Sequence, residues 1–226
     1  MQTHNLGYPR IGSNRELKKA CEQYWSGKSS QKSLVLVGKN IRLENWRLQK
    51  DAGIDLIPSN DFSFYDQILD MSLTLGVIPE RYHDVILNQN NTELDLYFAM
   101  ARGYQKDGLD ITAMEMTKWY DTNYHYIVPE FKKDQAFKLF STKIIDEFYE
   151  AKQAGIITKP VIIGPVSYLL LGKEKETGFN KIDLIKSVLP VYIEILQKLK
   201  SLDVEWIQFD EPFLALDLDA KTKQAY

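Results

Sequence analysis

The alternation of short apolar segments with amphipathic helical patterns is the feature of this chain that most constrains its fold. Each apolar segment ends in polar, Gly or Pro residues and is followed by a stretch with helical periodicity. This alternation is typical of βαβ units and predicts an α/β protein with a parallel sheet. The predicted strands lie within residues 5–12, 54–63, 115–119, 160–167 and 205–209.

Helical periodicity predicts the elements between these strands. The first helix follows Ser13 or Asn14, either of which can cap its N-terminus. Its apolar face consists of Leu17, Ala20, Cys21 and Tyr24. Further helices are predicted at residues 31–52, 65–75, 93–102, 134–154 and 182–202. Pro190 is expected to kink the last helix or to mark where its regular part begins.

The ends of the predicted strands indicate a barrel. Polar, Gly and Pro residues gather at the carboxyl ends of the strands, where a (βα)8 barrel has its active site. A closed barrel needs eight strands and typically ~250 residues, whereas these 226 residues supply five strand candidates. We therefore expect the first part of a (βα)8 TIM-type barrel, about five βα units, in a chain that stops before the barrel closes.

Charge and composition exclude several classes of function. The net charge is -3 and no basic block is present, which argues against nucleic acid as a partner. The apolar run at residues 160–171 is too short to cross a membrane and contains Gly164 and Pro165. The N-terminus MQTHNLGYPRIG lacks the apolar core of a signal peptide, so a cytoplasmic location is expected.

The sequence contains few residues that could hold a metal. Cys21 is the only cysteine, which excludes an internal disulfide and thiolate-rich zinc sites. The three histidines, His4, His83 and His125, are far apart in the sequence and show no helical spacing. No metal site is therefore predicted within these residues.

The segment from Glu115 to Glu130 is unusually dense in polar and aromatic residues. It contains one Lys, one His, one Asn and four large aromatic side chains. Aromatic walls with a few placed polar groups are typical of a ligand cleft, but an amphipathic strand and loop can have the same composition. Composition alone slightly favours the strand and loop. Trp119 beside Lys118 is a candidate ligand surface, and His125 is a weakly indicated candidate base.

Asp210 and Glu211 are adjacent carboxylates at a predicted strand end. They could serve as the acid and base of a glycoside hydrolase. Neighbouring residues on a strand point to opposite faces, however, so both cannot face one substrate. A second carboxylate would have to come from Asp61 or Glu115. A role for Asp210 in capping or orienting a neighbouring group is favoured over catalysis.

Four cations could form a basic patch. Arg15, Lys18 and Lys19 lie at the start of the first helix, and Lys118 would join them if both segments met at one barrel mouth. Such cations at a helix N-terminus suit an anionic ligand, because the free N–H groups and the dipole attract the same charge. Lysines on a helix surface are usually just solvated, and spacing alone favours that interpretation.

Several motifs nevertheless resemble those of one enzyme family. They are GYPRIG at 7–12, RELK at 15–18, IPSNDFS at 57–63, YFAMARG at 97–103, residues 118–130, PVIIGP at 160–165 and QFDEP at 208–212. Together they cover essentially the whole chain, and NYHY at 123–126 is the most specific of them. On these residues the chain resembles the N-terminal region of cobalamin-independent methionine synthases, the 5-methyltetrahydropteroyltriglutamate–homocysteine methyltransferases.

The resemblance implies an enzyme of two barrels with its active site in the cleft between them. Residues 1–226 would be the N-terminal barrel domain, incomplete, which helps to bind the polyglutamate tail of the folate. Four consecutive residues and Lys118 would contact the tail, with Asn123 a weaker candidate. The four are Arg15, Glu16, Leu17 and Lys18. Cations among them suit a run of carboxylates, and no catalytic residue is implied in this part.

The implied reaction transfers the methyl group of 5-methyltetrahydropteroyltriglutamate to homocysteine without cobalamin. The family's zinc holds the homocysteine thiolate through a His, two Cys and a Glu of the C-terminal barrel, which this chain lacks. We therefore expect these residues alone to be inactive, and Asp210 and Glu211 to be a structural relic of barrel duplication. Two other functions stay open: a non-catalytic protein that binds folate or another polyanion, and a barrel glycoside hydrolase.

Overall fold

The computed structural model describes residues 1–226. The helices are α1 Glu16–Trp25, α2 Gln31–Asp51, α3 Gln67–Thr74, α4 His83–Leu87, α5 Glu93–Arg102, α6 Lys143–Gln153, α7 Pro165–Leu171, α8 Ile185–Lys200 and α9 Ala220–Ala225. The strands are β1 Ile57–Ser59, β2 Tyr104–Lys106, β3 Leu109–Ile111, β4 Met116–Lys118, β5 His125–Ile127, β6 Glu130–Phe131, β7 Thr158–Ile163, β8 Lys173–Glu174 and β9 Gln208–Asp210. None of the helices has the length and apolar character needed to span a membrane.

The main sheet has three strands in the order β1–β7–β9. β1 and β7 run parallel, with Ile57 opposite Thr158 and Ser59 opposite Pro160, although α3 to α6 lie between them in the sequence. Every residue of β1 and β7 is buried, as is typical of parallel strands covered on both faces. The predicted α/β class with a parallel sheet is therefore confirmed, and three strands do not close a barrel.

Contacts divide the chain into two compact units. Unit 1 contains Met1–Phe64, Ile144–Val161 and Leu202–Gln208, and unit 2 contains Tyr65–Lys143, Ile162–Ser201 and Phe209–Tyr226.

The core of unit 1 forms around α2. The indole N–H of Trp46 donates to the carbonyl of Pro58 at 3.1 Å, and the ring packs in a buried cluster with Ile57, Ala151 and Ile156. Gly38 lets the helix approach the ring of Phe64, because a Cβ at this position would lie 2.8 Å from that ring. Burial of these apolar groups joins α2 to β1 and α6.

A buried ionic cluster also joins α2 to α6. Arg42 donates to Glu150 at 2.8 Å and lies 3.6 Å from a carboxylate oxygen of Glu147, and its guanidinium sits 5.1 Å from the ring centre of Phe62. The Arg42 side chain is 9% exposed and that of Glu147 is 6% exposed. The pKa of Arg42 is raised because these carboxylates outweigh the opposing cost of burial.

Removal of the Arg42 charge is expected to destabilise unit 1. Arg42→Met would leave the buried Glu147 without its cation and should lower the free energy of unfolding by about 3–5 kcal/mol. Lys198→Ala serves as the control, because it breaks an exposed pair with Glu194 and should cost about 0–1 kcal/mol. Urea unfolding measures both variants, and equal losses would contradict the role of the buried cluster.

In unit 2, tyrosine hydroxyls bind buried polar groups within the core. Tyr168 of α7 contacts the hydroxyl of Ser72 in α3 at 3.0 Å, and Tyr192 of α8 donates to the carbonyl of Ile163 at 2.7 Å. Both tyrosine side chains are buried, and burial raises their pKa. Buried phenols of this kind combine apolar packing with a satisfied hydroxyl.

Several predicted helices agree with the structure. The predictions for residues 31–52 and 93–102 match α2 and α5 closely. The buried face of α1 contains Leu17, Ala20 and Cys21 as predicted. Helix α8 continues through Pro190 instead of starting there.

The helix predicted at residues 134–154 is wrong in its first half, because α6 begins at Lys143. The N–H groups of Lys138 and Phe140 donate to the carbonyls of Leu75 and Thr74, at 3.1 and 2.9 Å. These carbonyls lie at the end of α3 and have no partner within that helix. The backbone of this segment therefore donates hydrogen bonds to the free carbonyls of α3 and does not form a helix of its own.

Three strand predictions also need correction. The strand predicted at residues 160–167 ends at Ile163, and Pro165 begins α7, a favoured helix position for proline. The segment at 5–12 forms no strand, although His4 makes an isolated parallel bridge with Leu56. The strand predicted at 115–119 is β4, which pairs only with β5 as an antiparallel hairpin.

Candidate functional site

Arg15 lies immediately before α1 in unit 1 and has a left-handed backbone, with φ 62° and ψ 37°. This conformation costs a residue with a side chain roughly 1–2 kcal/mol. Two backbone hydrogen bonds of 3.2 Å hold it, from the N–H of Arg15 to Gly12 and from the N–H of Leu17 to Ile11. The Arg15 side chain remains exposed.

Glu16 uses its carboxylate to order the same turn. The carboxylate accepts the N–H of Asn14 at 3.0 Å, and the amide of the Asn14 side chain lies 3.3 Å away. Hydrogen bonds from the backbone of Glu16 itself and of Asn14 lower the pKa of this carboxyl. Gly12 has a φ of 80°, which strains residues that carry a side chain, and a Cβ there would also overlap the Glu16 carboxylate. The predicted ligand contact of Glu16 remains a prediction, and its carboxylate has a structural role.

Leu17 and Lys18 complete the predicted segment and differ in exposure. Leu17 is 3% exposed and anchors α1 in the core, whereas Lys18 is exposed and lies 3.5 Å from Glu22 one turn further on. An exposed pair at this spacing stabilises a helix by about 0.3–0.5 kcal/mol. Lys18 can therefore exchange Glu22 for another anion at little cost.

Lys118 lies in unit 2, at the end of β4. It is opposite His125 in the register of the β4–β5 hairpin, and its exposed side chain forms no ion pair. The turn is closed by a 2.7 Å hydrogen bond from the N–H of Trp119 to the carbonyl of Tyr124. The hairpin therefore presents an uncompensated cation beside its turn.

The aromatic residues of the Glu115–Glu130 motif pack on one another. Trp119 makes edge-to-face contacts with Tyr120 and Tyr126, at ring-centre distances of 5.2 and 5.8 Å, and Tyr120 also contacts Phe213 at 5.6 Å. Tyr120 has a left-handed φ of 50°. The motif is a strand, a turn and a second strand, so the strand-and-loop interpretation describes it.

His125 and Asn123 of the same motif are both exposed. The Nδ1 atom of His125 lies 3.0 Å from the backbone carbonyl of Asn123, within the turn. This contact gives His125 a local role in the hairpin. The ring has no carboxylate partner of the kind that orients a catalytic base.

Glu211 caps α7 in unit 2. Its carboxylate accepts the N–H groups of Val166 and Ser167, at 3.2 and 2.8 Å, and the hydroxyl of Tyr226 at 3.0 Å. A Cβ at Gly164 would overlap this carboxylate. The role of Asp210 in capping or orienting a neighbouring group remains a prediction, whereas the carboxylate that caps α7 belongs to the adjacent Glu211. Its bonds to the helix leave it poorly suited to acid–base catalysis.

The two other carboxylates considered for catalysis also have structural partners. In unit 1, Asp61 accepts the N–H of Tyr8 at 2.8 Å. In unit 2, Glu115 pairs with Lys173 at 2.5 Å. These contacts give no support to a hydrolytic carboxylate pair.

Asp66 is a functional candidate that the sequence analysis missed. Its carboxylate is wholly buried and accepts three N–H groups, from Ile68 at 2.8 Å, Leu69 at 2.9 Å and Ile127 at 3.0 Å. The first two bonds cap α3, and an Asp before a helical pattern could have signalled that cap. The third bond joins β5 and has no sequence signal, because it depends on the tertiary structure.

Burial raises the pKa of Asp66 to about 7 from its ordinary 3.8, although the three N–H donors act in the opposite direction. The folded protein therefore holds a proton that the unfolded chain releases at lower pH. It follows that this group favours folding below pH 3.8 and that its contribution is lost as the pH rises to about 7.

Asp66→Asn is expected to remove this pH dependence. The free energy of unfolding of the unmodified chain should fall more steeply than that of the variant between pH 4 and 7, by up to about 1.4 kcal/mol per pH unit. Urea unfolding of both proteins over this range gives the difference directly. A difference that does not change with pH would show that Asp66 is already ionised in the folded state.

A metal site does not form among these residues. The structure contains no group of three or more His, Cys, Asp or Glu side chains that could hold a metal ion. Cys21 is buried, with its thiol 3.8 Å from the carbonyl of Phe64. The donor groups of this chain therefore do not fit a zinc site of the kind that the resemblance implies for the methyltransferases.

Comparison with known proteins identifies the family. The sequence profile described as "Cobalamin-independent synthase, N-terminal domain" matches residues 2–226, so the chain belongs to this family. The resemblance inferred from the motifs is thereby confirmed.

The curated relatives carry one name. The chain is 67% identical over 226 residues to the 5-methyltetrahydropteroyltriglutamate–homocysteine methyltransferase of Flavobacterium johnsoniae, with all of this chain and 29% of that protein aligned. It is 65% identical to the enzyme of the same name from Cytophaga hutchinsonii, again over 29% of that protein, and 51% identical to that of Saccharomyces cerevisiae, over 30%. The chain thus spans less than a third of the length of these relatives.

Proposed function

We propose that this chain is the N-terminal part of a cytoplasmic methyltransferase that makes methionine from 5-methyltetrahydropteroyltriglutamate and homocysteine. The observation that carries the proposal is the 67% identity over the whole chain to a protein named for this reaction. We also propose that the sheet of β1, β7 and β9 belongs to a (βα)8 barrel, in keeping with the parallel pairing and complete burial of β1 and β7.

The part of the reaction assigned to these residues is binding of the folate tail. A γ-linked triglutamate carries a row of carboxylates, which exposed cations can bind. Arg15 offers a planar guanidinium that suits bidentate binding, whereas Lys18 and Lys118 act as mobile point charges. Their exposure supports the assignment, as do the absence of an ion pair at Lys118 and the weak pair at Lys18.

The chemical step requires groups that these residues do not supply. The methyl group leaves N5 of the folate and bonds to the homocysteine sulfur, while the folate nitrogen takes up a proton. Zinc, when bound, would hold the sulfur as a thiolate. We propose that the zinc ligands and the homocysteine site lie in the part of the methyltransferase that this chain does not span, and that no cobalamin takes part.

Lys118→Ala in the full-length methyltransferase is expected to weaken tail binding. Loss of one charge-assisted contact should raise KM for the triglutamyl folate about tenfold and leave kcat within about twofold. KM for the monoglutamyl folate should change little, because that substrate lacks the distal carboxylates. Steady-state kinetics with both substrates measure the effect.

Lys106→Ala is the matched control, since Lys106 is another exposed lysine at the end of a hairpin strand. It should leave KM unchanged for both folates. An equal rise in KM at every tail length for Lys118→Ala would contradict the tail-binding role.

The 226 residues alone are expected to form no methionine, because no group in them can hold the zinc that activates the thiol. The purified chain would be incubated with zinc, methyl-folate triglutamate and homocysteine, and methionine would be measured by mass spectrometry. The full-length protein under the same conditions is the positive control. Turnover by the isolated chain would contradict the proposed division of roles.

A further inference from the structure

The carboxylate of Asp66 makes more hydrogen bonds than a helix cap requires. One oxygen, Oδ1, accepts the N–H groups of both Ile68 and Leu69 and so completes the cap of α3. Ser, Thr or Asn at this position would offer a single acceptor oxygen and would cap the helix equally well. The cap of α3 therefore does not require the second oxygen of Asp66.

That second oxygen, Oδ2, accepts the N–H of Ile127 in β5. Ile127 is opposite Met116, and two residues earlier in β5 His125 is opposite Lys118. At a strand rise of about 3.3 Å per residue, the anchored position lies roughly 7 Å along the strand from the Lys118 pair. The bond thus holds the strand that supports Lys118.

Asp66 is itself held in place from a third element. The hydroxyl of Tyr97 in α5 accepts the backbone N–H groups of Tyr65 and Asp66, at 2.9 and 3.2 Å. Tyr97 is 4% exposed and Asp66 is wholly buried. A continuous set of buried contacts therefore runs from α5 through Asp66 to β5, within unit 2.

The hairpin has further restraints near its base. The hydroxyl of Tyr126 donates to the carbonyl of Leu171 at 3.0 Å, and Glu115 pairs with Lys173. The Glu115 pair is exposed, and exposed pairs contribute little to stability. The Asp66 bond is fully buried and is made by a backbone N–H of β5, so it restrains the backbone of this strand directly.

We propose that Asp66 is a positioning residue for Lys118: its carboxylate fixes the β4–β5 hairpin to the N-terminus of α3 and thereby sets where the lysine amine meets the folate tail. The inference rests on the proposed role of Lys118 and adds a buried residue to the same site. Asp66 touches no substrate and acts through the hairpin backbone.

Asp66→Asn in the full-length methyltransferase tests this role. The amide oxygen can still cap α3, but its NH₂ group would face the N–H of Ile127 and lose that bond. KM for the triglutamyl folate should rise about tenfold while kcat and KM for the monoglutamyl folate stay within about twofold, since misplacement of a binding group affects binding of the tail alone. Asp66→Ser, which caps α3 without reaching Ile127, should behave in the same way and serves if the Asn variant folds poorly.

A double-mutant cycle separates positioning from simple destabilisation. With Lys118→Ala already present, Asp66→Asn should produce no further rise in KM for the triglutamyl folate, because both changes remove one interaction. Ile195→Val in the buried core of α8 is the control for general loss of stability and should not alter the dependence on tail length. Independent, multiplicative effects of Asp66→Asn and Lys118→Ala would overturn the inference.

Hydrogen exchange gives a second readout in the same variants. In Asp66→Asn the amides of Thr117, Trp119 and Ile127 should exchange faster, while those of α8 keep their protection. A uniform rise in exchange rate across the protein would overturn the inference.

The kinetic results distinguish this inference from the proposed function. If Lys118→Ala has a tail-length effect and Asp66→Asn has none, only the positioning role fails. If Lys118→Ala has no such effect, the proposed tail site fails and the positioning role falls with it.

Discussion

The parallel pairing of β1 with β7 is the interaction on which the α/β organisation of this chain depends. It joins segments separated in the sequence by α3 to α6, and a 2.9 Å contact between the buried hydroxyls of Ser59 and Thr158 fixes its register. Trp46 adds a bond from its indole to the carbonyl of Pro58. A shift of one residue would turn these side chains to the opposite faces and leave the hydroxyls unsatisfied.

Acidic side chains at helix N-termini form a second organising feature. Glu16, Asp66 and Glu211 each direct a carboxylate at backbone N–H groups near the start of α1, α3 and α7. The helix dipole favours negative charge at this end. These carboxylates therefore have structural roles, whereas the side chains of Arg15 and Lys118 are exposed.

Local signals account for the elements that were predicted well. Helix α5 begins with a capping box between Thr92 and Asp95, and α2 begins with a serine cap at Ser30, so both boundaries follow from neighbouring residues. The start of α6 and the pairing of β4 could not be predicted in this way. The backbone of residues 138–140 donates hydrogen bonds to the end of α3, and β4 pairs with β5 after a tight turn. The composition of residues 134–142 resembles that of a helix, and the composition of β4 resembles that of a strand in a larger sheet, so neither pairing could be read from the residues themselves.

By itself, the sequence determined the α/β class and the family, because periodicity, caps and motifs depend on neighbouring residues. It also supplied the cations that we propose bind the tail. Only the tertiary structure decided which carboxylates are structural. Glu211 meets the start of α7, and Asp66 meets β5, across long separations in the sequence. A hydrogen bond depends on distance and direction between atoms, and no pattern of neighbours encodes where two remote segments meet.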